Sequence, residues 1–204
     1  MSRYDGSECY TFPGAEILRN KAGLRDQVAL DAFEADATAI RLLELIEHPI
    51  PGAFDLAHLQ AIHHHLFQDV YDWAGQLRTV DISKGNSHFG NCGRIETYLG
   101  QQLAKISSEN FLCGLQPAIF VKRLAYYMGE INAAHPFREG NGRAQRAFCS
   151  QLAEQAGYFI DFDEVGREEM LAAMIASFRG DNQALELLLG RVASIIEQEQ
   201  RISP

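Results

Sequence analysis

The sequence predicts a mainly α-helical bundle that carries one short β-hairpin. Apolar residues recur at intervals of three and four along most of the 204 residues, which is the spacing of helices with one buried face. Residues 77–90 differ, because they alternate in strand fashion before a turn-forming Lys-Gly-Asn sequence. With 47% hydrophobic residues the chain is long enough to bury one sizeable core. We therefore expect a single domain over residues 1–204, with its core at about 55–200 and an N-terminal helical segment at 1–50.

Three amphipathic helices are predicted in the first half of the chain. Each has one face on which apolar residues, and in one case a histidine, repeat with helical spacing. The turn at residues 49–52, which contains two prolines and a glycine, separates the first helix from the second. The three faces consist of Phe33, Ala37 and Ile40, then Leu56, Leu59, His63 and Leu66, and finally Ile95, Leu99, Leu103 and Ile106.

The most strongly periodic helix is predicted at residues 117–134. Apolar side chains repeat there until Pro136, and the residue before a proline disfavours helical backbone. His135 therefore lies where a buried helix ends. Three more helices follow, the first opening at the glycines of residues 140–142 and ending at Gly157, the second at 167–178 and the third at 183–199.

Composition argues against several classes of function. The formal net charge of −9 gives no general attraction to nucleic acid or to anionic membranes, so neither is expected as a partner. The four cysteines are scattered without a CxxC pair, which fits reduced structural thiols in a cytoplasm. The chain does not start with a basic stretch followed by an apolar run, and no segment reaches the ~18–20 apolar residues that span a bilayer. A cytoplasmic location is expected, with delivery by a specialised injection system left open.

Residues 135–146 read HPFREGNGRAQR and bring the parts of a phosphate-transfer site into one short stretch. Gly140, Asn141 and Gly142 open a helix. Glycines at such a position let backbone N–H groups approach an anion, and the helix dipole adds favourable potential. The three residues therefore predict a cradle for phosphate groups.

The charged residues of the same stretch have matching chemistry. Arg143 and Arg146 are three residues apart, so they project from one helix face and can grip different phosphates of one nucleotide. Glu139 offers the oxygen ligands that Mg²⁺ prefers, and His135 can take a proton near neutral pH. Each residue alone has an ordinary alternative: a solvated arginine, a helix-capping carboxylate or a structural histidine. Phe137 is interpreted as a core anchor that fixes the loop.

Together these residues resemble the signature of the Fic family, also called Fic/Doc, whose pattern is HxFx(D/E)GNGRxxR. Every specified position is met, which makes agreement by chance very improbable. The resemblance extends to flanking segments of short bacterial Fic proteins, in the stretches YTFPGAEILRNKAGL, LFQDVYDWAGQLRTVDISKG and SFRGDNQALELLL. It implies the Fic fold, a helical bundle in which the β-hairpin is a flap over the active site.

The resemblance also implies an activity. Most Fic proteins transfer AMP from ATP to a Tyr, Ser or Thr hydroxyl of a target protein. By similarity, His135 is the base, and Glu139 holds a Mg²⁺ ion that bridges the α- and β-phosphates. Asn141 and the loop amides would stabilise developing charge, while Arg143 and Arg146 would orient the outer phosphates. UTP or another diphosphate-containing donor stays open, because the signature contacts phosphates and not the base.

Two further features refine the resemblance. The flap would hold the target segment by main-chain pairing, with Ile82, Ser83, Lys84 and Gly85 nearest to the substrate. Doc-type relatives carry lysine where this chain has Gly142, and they transfer phosphate. The glycine therefore favours AMP transfer over kinase activity.

Regulation follows from a missing segment. Many Fic proteins are restrained by a helix with the pattern (S/T)xxxE(G/N), whose glutamate pairs with the arginine equivalent to Arg146. Residues 150–155, SQLAEQ, fail at the last position and lie on the helix of the signature itself, and residues 177–182, SFRGDN, have aspartate and a helix-weakening glycine. The resemblance thus implies a toxin restrained by a separate small antitoxin that carries this motif. The ATPase subunits of gyrase and topoisomerase IV are the first expected targets.

Alternatives remain open. The chain could be a Fic-type effector delivered into another cell, or a catalytically silent nucleotide-binding interaction module, although the intact His135 and Glu139 argue against the latter. A metal site at residues 63–65, three consecutive histidines, is disfavoured because neighbouring helical residues point about 100° apart. Tyr71 and Trp73 could line a nucleotide pocket, but core anchors that lead into the flap are favoured.

Overall fold

Helices make up most of this computed structural model, which describes residues 8–84 and 87–196. Within those residues there are eight α-helices and four short β-strands. The helices are α1 (Gln27–Glu47), α2 (Leu56–Phe67), α3 (Ile95–Leu103), α4 (Lys105–Ser108), α5 (Pro117–Ala134), α6 (Asn141–Gln155), α7 (Arg167–Phe178) and α8 (Gln183–Val192). The strands are β1 (Ser83–Lys84), β2 (Ser87–His88), β3 (Tyr158–Ile160) and β4 (Ala193–Ile195). The prediction of a mainly α-helical fold with a short hairpin is confirmed.

Helix α5 packs against α3, α6, α7 and α8. Pro117 occupies its first turn, where a missing N–H costs nothing. At the other end His135 has the left-handed φ of 46°, and its N–H donates to the carbonyl of Ile131 at 2.9 Å. The helix therefore ends where Pro136 predicts, and the chain turns into a short loop that leads to α6.

The buried faces predicted for the second and third helices are confirmed. Their apolar residues are buried, and all except Ile95 belong to one cluster of buried side chains that also contains apolar residues of α5 and α6. The third helix is interrupted after Leu103, so that α3 and α4 are separate, but Ile106 stays buried. In the residues that the structure describes, no helix is both long enough and apolar enough to cross a membrane.

The face predicted for the first helix was partly wrong. Ile40 is 60% exposed, whereas the residues of α1 that are buried include the polar Glu34 and Thr38. Polar groups are stable inside a protein when they have hydrogen-bond partners, and both side chains accept bonds from Arg143. The inner face of α1 therefore contains polar as well as apolar residues, and some apolar residues of the helix are exposed.

The hairpin is confirmed but is shorter than the predicted residues 77–90. Ser83 pairs with His88 and Lys84 with Ser87 in an antiparallel ladder. Next to the ladder the N–H of Phe89 still donates to the carbonyl of Ile82 at 3.3 Å, whereas the N–H of Arg78 donates away from the hairpin, to the carbonyl of Pro136 at 2.9 Å. Gly85, at the predicted tip, lies outside the described residues.

The end of the last predicted helix was wrong. Helix α8 ends at Val192, and strand β4 then pairs antiparallel with β3, with Phe159 opposite Ser194. The edge of β3 offers unpaired backbone groups, and the isoleucines at 195 and 196 favour extended backbone. Strands of three residues are too short to show a period in the sequence. Residues 197–199 of the prediction lie outside the described part of the chain.

Candidate active site

The loop between α5 and α6 presents His135 with a defined tautomer. Its Nδ1 lies 3.0 Å from the carbonyl oxygen of Asn132. A carbonyl oxygen only accepts hydrogen bonds, so Nδ1 carries the proton and Nε2 holds the lone pair. His135 is therefore prepared to act as a base through Nε2.

Phe89, one residue beyond β2, covers the imidazole of His135. The two rings are stacked with centroids 3.8 Å apart. The ring of Phe178 packs edge-on against the Phe89 ring, with centroids 5.5 Å apart. The hairpin thus contacts the candidate base directly. Phe89 lies within the hairpin predicted at residues 77–90, but nothing in the sequence pointed to this contact.

Asn141 closes the loop. Its Oδ1 accepts from the N–H of Phe137 at 2.8 Å, and its Nδ2 donates to the carbonyl of the same residue at 2.7 Å. The Phe137 ring is fully buried, as the core-anchor interpretation expects. We expected Asn141 to stabilise charge on the phosphates, and the contacts seen for its side chain hold the backbone that would do so.

Gly140 permits the turn into α6. It has a φ of 78°, and a Cβ atom built there would lie 2.1 Å from Cζ of Phe67. Gly142 has no such restriction, because a Cβ atom there would meet only Nη1 of Arg146 at 3.5 Å. Glycine is therefore required at position 140 by the backbone conformation and the close Phe67 ring, whereas at position 142 it leaves open space beside the loop.

Arg143 is held by α1. Its Nη1 donates to Oγ1 of Thr38 at 3.0 Å, its Nη2 donates to the carboxylate of Glu34, and its guanidinium lies over the Phe67 ring at 4.7 Å. Glu34 is 3% exposed and also accepts from the Tyr71 hydroxyl. Burial and the Glu34 charge raise the pKa of Tyr71, so the tyrosine stays a donor. The sequence missed Glu34, which looks there like an ordinary charge on a helix.

Arg146 lies one turn further along α6 and has a different environment. Burial lowers its pKa, as does the positive charge of Arg143. No ion pair within residues 8–84 and 87–196 includes Arg146. A partly buried guanidinium remains protonated, so this position favours an anionic ligand such as a phosphate or a carboxylate.

Glu139 supplies oxygen near the loop amides. Its Oε1 accepts from the N–H of Gly140 at 2.9 Å, and the residue borders a small cleft that Glu16, Asp31 and Glu34 also line. In the described residues no group of three or more His, Cys, Asp or Glu side chains could hold a metal ion by itself. A single hard-oxygen donor fits Mg²⁺ that obtains its other ligands from phosphate oxygens and water.

His63 supports the loop from α2. Its Nδ1 accepts from the N–H of Gly75 at 2.9 Å, and its Nε2 donates to the carbonyl of Glu139 at 3.0 Å. Its ring stacks on Phe137 with centroids 3.8 Å apart. The neighbouring His64 is exposed. His63 therefore stabilises the signature loop from within the core. The environments of the consecutive histidines at residues 63–65 differ, so they do not form one site.

The buried His63 should make stability depend on pH. Burial lowers its pKa to about 3, whereas the unfolded chain has an ordinary histidine pKa of about 6.5. Between pH 7 and pH 5 the unfolded state gains a proton that the folded state refuses, so the free energy of unfolding falls by about 2 kcal/mol from this residue. Urea unfolding at both pH values should show that loss in the wild type and in His64→Gln. His63→Gln should lack it, and equal pH dependence in all three proteins would contradict the assignment.

The two segments that partly match the inhibitory pattern, residues 150–155 and 177–182, have other structural roles. Residues 150–155 belong to α6 itself. In the segment 177–182, Asp181 accepts from the N–H of Gln183, the first residue of α8, at 2.9 Å. A Cβ atom on Gly129 of α5 would lie 2.7 Å from Oγ of Ser177, which shows how closely this segment packs on α5. Asp181 therefore bonds to the start of α8 where the inhibitory pattern requires a glutamate that reaches an arginine.

Tyr71 and Trp73 lie in the core beside α2. Tyr71 is 1% exposed, and the two rings stack with centroids 4.3 Å apart. Trp73 is partly buried and packs on the same apolar cluster. The favoured interpretation of core anchors agrees with these contacts, and Tyr71 adds a polar contact to Glu34.

Comparison with known proteins gives the same family for sequence and fold. The Fic/DOC family model matches residues 53–153. A protein adenylyltransferase, VbhT of Bartonella schoenbuchensis, is 46% identical over 192 residues, which are 94% of this chain and 40% of that protein. The chain thus spans less than half of that relative. A probable protein adenylyltransferase Fic of Escherichia coli is 39% identical over 190 residues, 93% of this chain and 94% of that protein.

Solved structures agree. The Bartonella effector BepC from Bartonella tribocorum, with bound AMPPNP, has a TM-score of 0.84 and 28% identity over 91% of this chain and 96% of that one. The N-terminal Fic domain of a Bartonella quintana effector, with bound ADP, has a TM-score of 0.85 and 29% identity over 91% and 94%. The helical bundle with its hairpin is thus the Fic fold, and the chain belongs to the Fic/DOC family.

Proposed function

We propose that this protein transfers AMP from ATP to a hydroxyl side chain of a target protein. The observation that carries the proposal is the tautomer of His135, which leaves the lone pair on Nε2, six residues before the start of the helix that carries the two signature arginines. Relatives that are named protein adenylyltransferases support the activity. Structural neighbours solved with AMPPNP and ADP support an adenine nucleotide as donor.

The residues divide the reaction between them. The Nε2 lone pair of His135 takes the proton of the target hydroxyl, whose oxygen forms a bond to the α-phosphorus. The bond from that phosphorus to the bridging oxygen breaks, and pyrophosphate leaves. The amides of Asn141 and Gly142 and the dipole of α6 would face the phosphates, while the N–H of Gly140 donates to Glu139. Arg143 and Arg146 would orient the outer phosphates. A bound Mg²⁺ would neutralise phosphate charge, and Glu139 would hold it.

Gly142 supports AMP transfer over phosphate transfer. The residue is exposed and helical, and a Cβ atom there would meet only the far end of Arg146. The protein would therefore accept a side chain at this position, such as the lysine of the phosphate-transferring relatives. Its absence keeps the space beside the loop open for phosphates.

Two labelled forms of ATP test the proposed function. The purified chain is incubated with Mg²⁺, a bacterial lysate and ATP that is labelled either at the α-phosphate or at the γ-phosphate. AMP transfer puts label on a discrete protein only from the α-phosphate. Label only from the γ-phosphate would mean a kinase, and unlabelled UTP added in excess shows whether another base competes. Purified ATPase subunits of gyrase and topoisomerase IV are the first single targets to assay, in place of the lysate.

We further propose that the chain acts as a toxin whose restraint is a small antitoxin with the (S/T)xxxE(G/N) motif. No ion pair in the described residues joins Arg146 to a carboxylate, although the charge of Asp163 acts on it from a greater distance. Neither internal candidate segment supplies such a pair. A glutamate placed against Arg146 would occupy the position of an outer phosphate. A purified complex with the small protein encoded beside this chain should therefore have little transfer activity, and full activity in that complex would refute the proposal.

An exposed apolar face on α1 supports such a protein partner. Val28, Leu43 and Ile46 are 77%, 64% and 65% exposed, and they lie on one side of the helix over about 27 Å. Alanines at 32, 35 and 39 complete this α1 stripe, and Asp31, Asp36 and Glu47 flank it. Continuous apolar surface of this kind marks interaction sites. The stripe suits an amphipathic helix with basic residues along its edges.

Negative charges introduced into the α1 stripe should weaken the binding of that partner. The double variant Leu43→Asp and Ile46→Asp is expected to raise the Kd of the small neighbouring protein at least about tenfold, because two apolar contacts are replaced by buried charges. Titration calorimetry with the purified proteins measures the change. Leu187→Asp on α8, where the leucine is 72% exposed, is the matched control. Unchanged affinity in the double variant would remove α1 from the interface.

A role as a delivered effector is the second candidate. The solved neighbours described above are named as translocated Bartonella effectors. The same chemistry would then act in a host cell. A reporter enzyme fused to this chain and followed into recipient cells distinguishes delivery from action inside the producing cell.

A further inference from the structure

Arg78 is a buried arginine whose side chain bonds to main-chain carbonyls. The residue is 2% exposed and lies five residues before the hairpin. Its Nε donates to the carbonyl of His135 at 2.8 Å and its Nη1 to Val80 at 2.6 Å, while its Nη2 donates to Ala134 at 3.1 Å and to Gly90. Asp81 is the nearby carboxylate, 3.7 Å from Nη1.

This arrangement resolves two physical problems at once. The last carbonyls of a helix have no partner within the helix and carry the negative end of its dipole. A buried guanidinium is costly unless its donors are satisfied. Arg78 fits its planar fork of donors to the end of α5, so that a fixed positive group caps the helix that carries the candidate base.

The same guanidinium holds both arms of the hairpin. Val80 precedes β1 and Gly90 follows β2, so one side chain contacts the chain on its way into the hairpin and on its way out. The N–H of Gly90 also donates to the carbonyl of Ala133 at 3.0 Å. The backbone of His135 and both ends of the hairpin are therefore held by the same buried guanidinium, that of Arg78.

We propose that Arg78 is a positioning residue that sets where the hairpin lies relative to His135. The inference rests on the proposed function, in which the hairpin holds the target segment and His135 takes its proton. Reaction rates fall steeply when reacting groups are misplaced by about 1 Å. The carbonyl acceptors of the Arg78 side chain at residues 80, 90, 134 and 135 belong to the hairpin and to the end of α5, and the phosphate loop begins later, at Gly140. Loss of Arg78 should therefore affect the protein substrate and leave ATP binding unchanged.

Arg78→Lys is the main test, because lysine keeps the charge but has one nitrogen and cannot reach four separate carbonyls. We expect kcat to fall about 100-fold and the KM for the target to rise, while the Kd of AMPPNP stays within about threefold of the wild type. Hydrogen exchange of the amides at 80–84 and 87–90 should accelerate. Arg123→Met, which removes a paired arginine far along α5, should change none of these quantities.

The outcomes separate the inference from the proposed function. A wild type that transfers no AMP defeats the proposed function, and exchange in the hairpin still reports on Arg78. Arg78→Lys with wild-type exchange and wild-type kcat would overturn the inference. Equal losses of AMPPNP binding and of transfer would also overturn it, since they indicate a general loss of structure. Arg78→Met is a second variant, and where it does not fold the decision rests on Arg78→Lys.

Discussion

AMP transfer is expected to fall roughly 1,000-fold when His135 is replaced by asparagine, the loss typical of removing a general base. Asparagine tolerates the left-handed backbone that His135 adopts at φ 46°, so the loop should keep its shape. The amide has no basic nitrogen to replace the Nε2 lone pair. Affinity for ATP should therefore change by less than about threefold, because the phosphate cradle is intact.

Transfer of label from the α-phosphate of ATP measures the rate, and titration with AMPPNP measures the binding. His64→Asn is the matched control, since His64 is exposed on α2 and belongs to no part of the site. A His135→Asn variant that kept more than about a tenth of the rate would mean that another group takes the proton. Loss of AMPPNP binding would mean instead that the loop had changed.

The sequence predicts most of the fold and the chemistry of the loop because both are local. Helical spacing marks α2 and α5 directly, and Pro136 marks the end of α5. The signature loop lies within residues 135–146, so its composition is visible in one stretch of sequence. Its glycine at 140 could be explained only once Phe67 was seen against it.

The residues that hold the loop in place were not predictable in the same way. Glu34 contacts Arg143 from 109 residues away, and Arg78 contacts His135 from 57 residues away. A buried charge looks like a surface charge until its partner is known. Ile40 was assigned to the inner face of α1 for the same reason, because that face contains the polar Glu34 as well as the apolar Leu30 and Leu45.

Gly140→Ala is expected to be the most destabilising single methyl group that can be added to the loop. A left-handed backbone costs a residue with a Cβ atom about 1–2 kcal/mol, and overpacking costs about 1–3 kcal/mol more. The overpacking arises because the new atom would lie 2.1 Å from Cζ of the fully buried Phe67, whose ring also lies under Arg143. A total loss of about 2–5 kcal/mol follows, together with loss of AMP transfer as the phosphate cradle is pushed out of shape.

Gly142→Ala provides the matched control for stability, because the same methyl group is added two residues away under the opposite conditions. Gly142 is helical, and a Cβ atom there would lie in ordinary contact distance, 3.5 Å from Nη1 of Arg146, so alanine should stabilise the helix by up to about 0.5–1 kcal/mol. Urea unfolding of both variants measures the difference. Adding Phe67→Leu to Gly140→Ala should recover the overpacking part and leave the backbone part. If both single variants unfolded at the same urea concentration, the close approach of Phe67 to Gly140 could not be what requires glycine there.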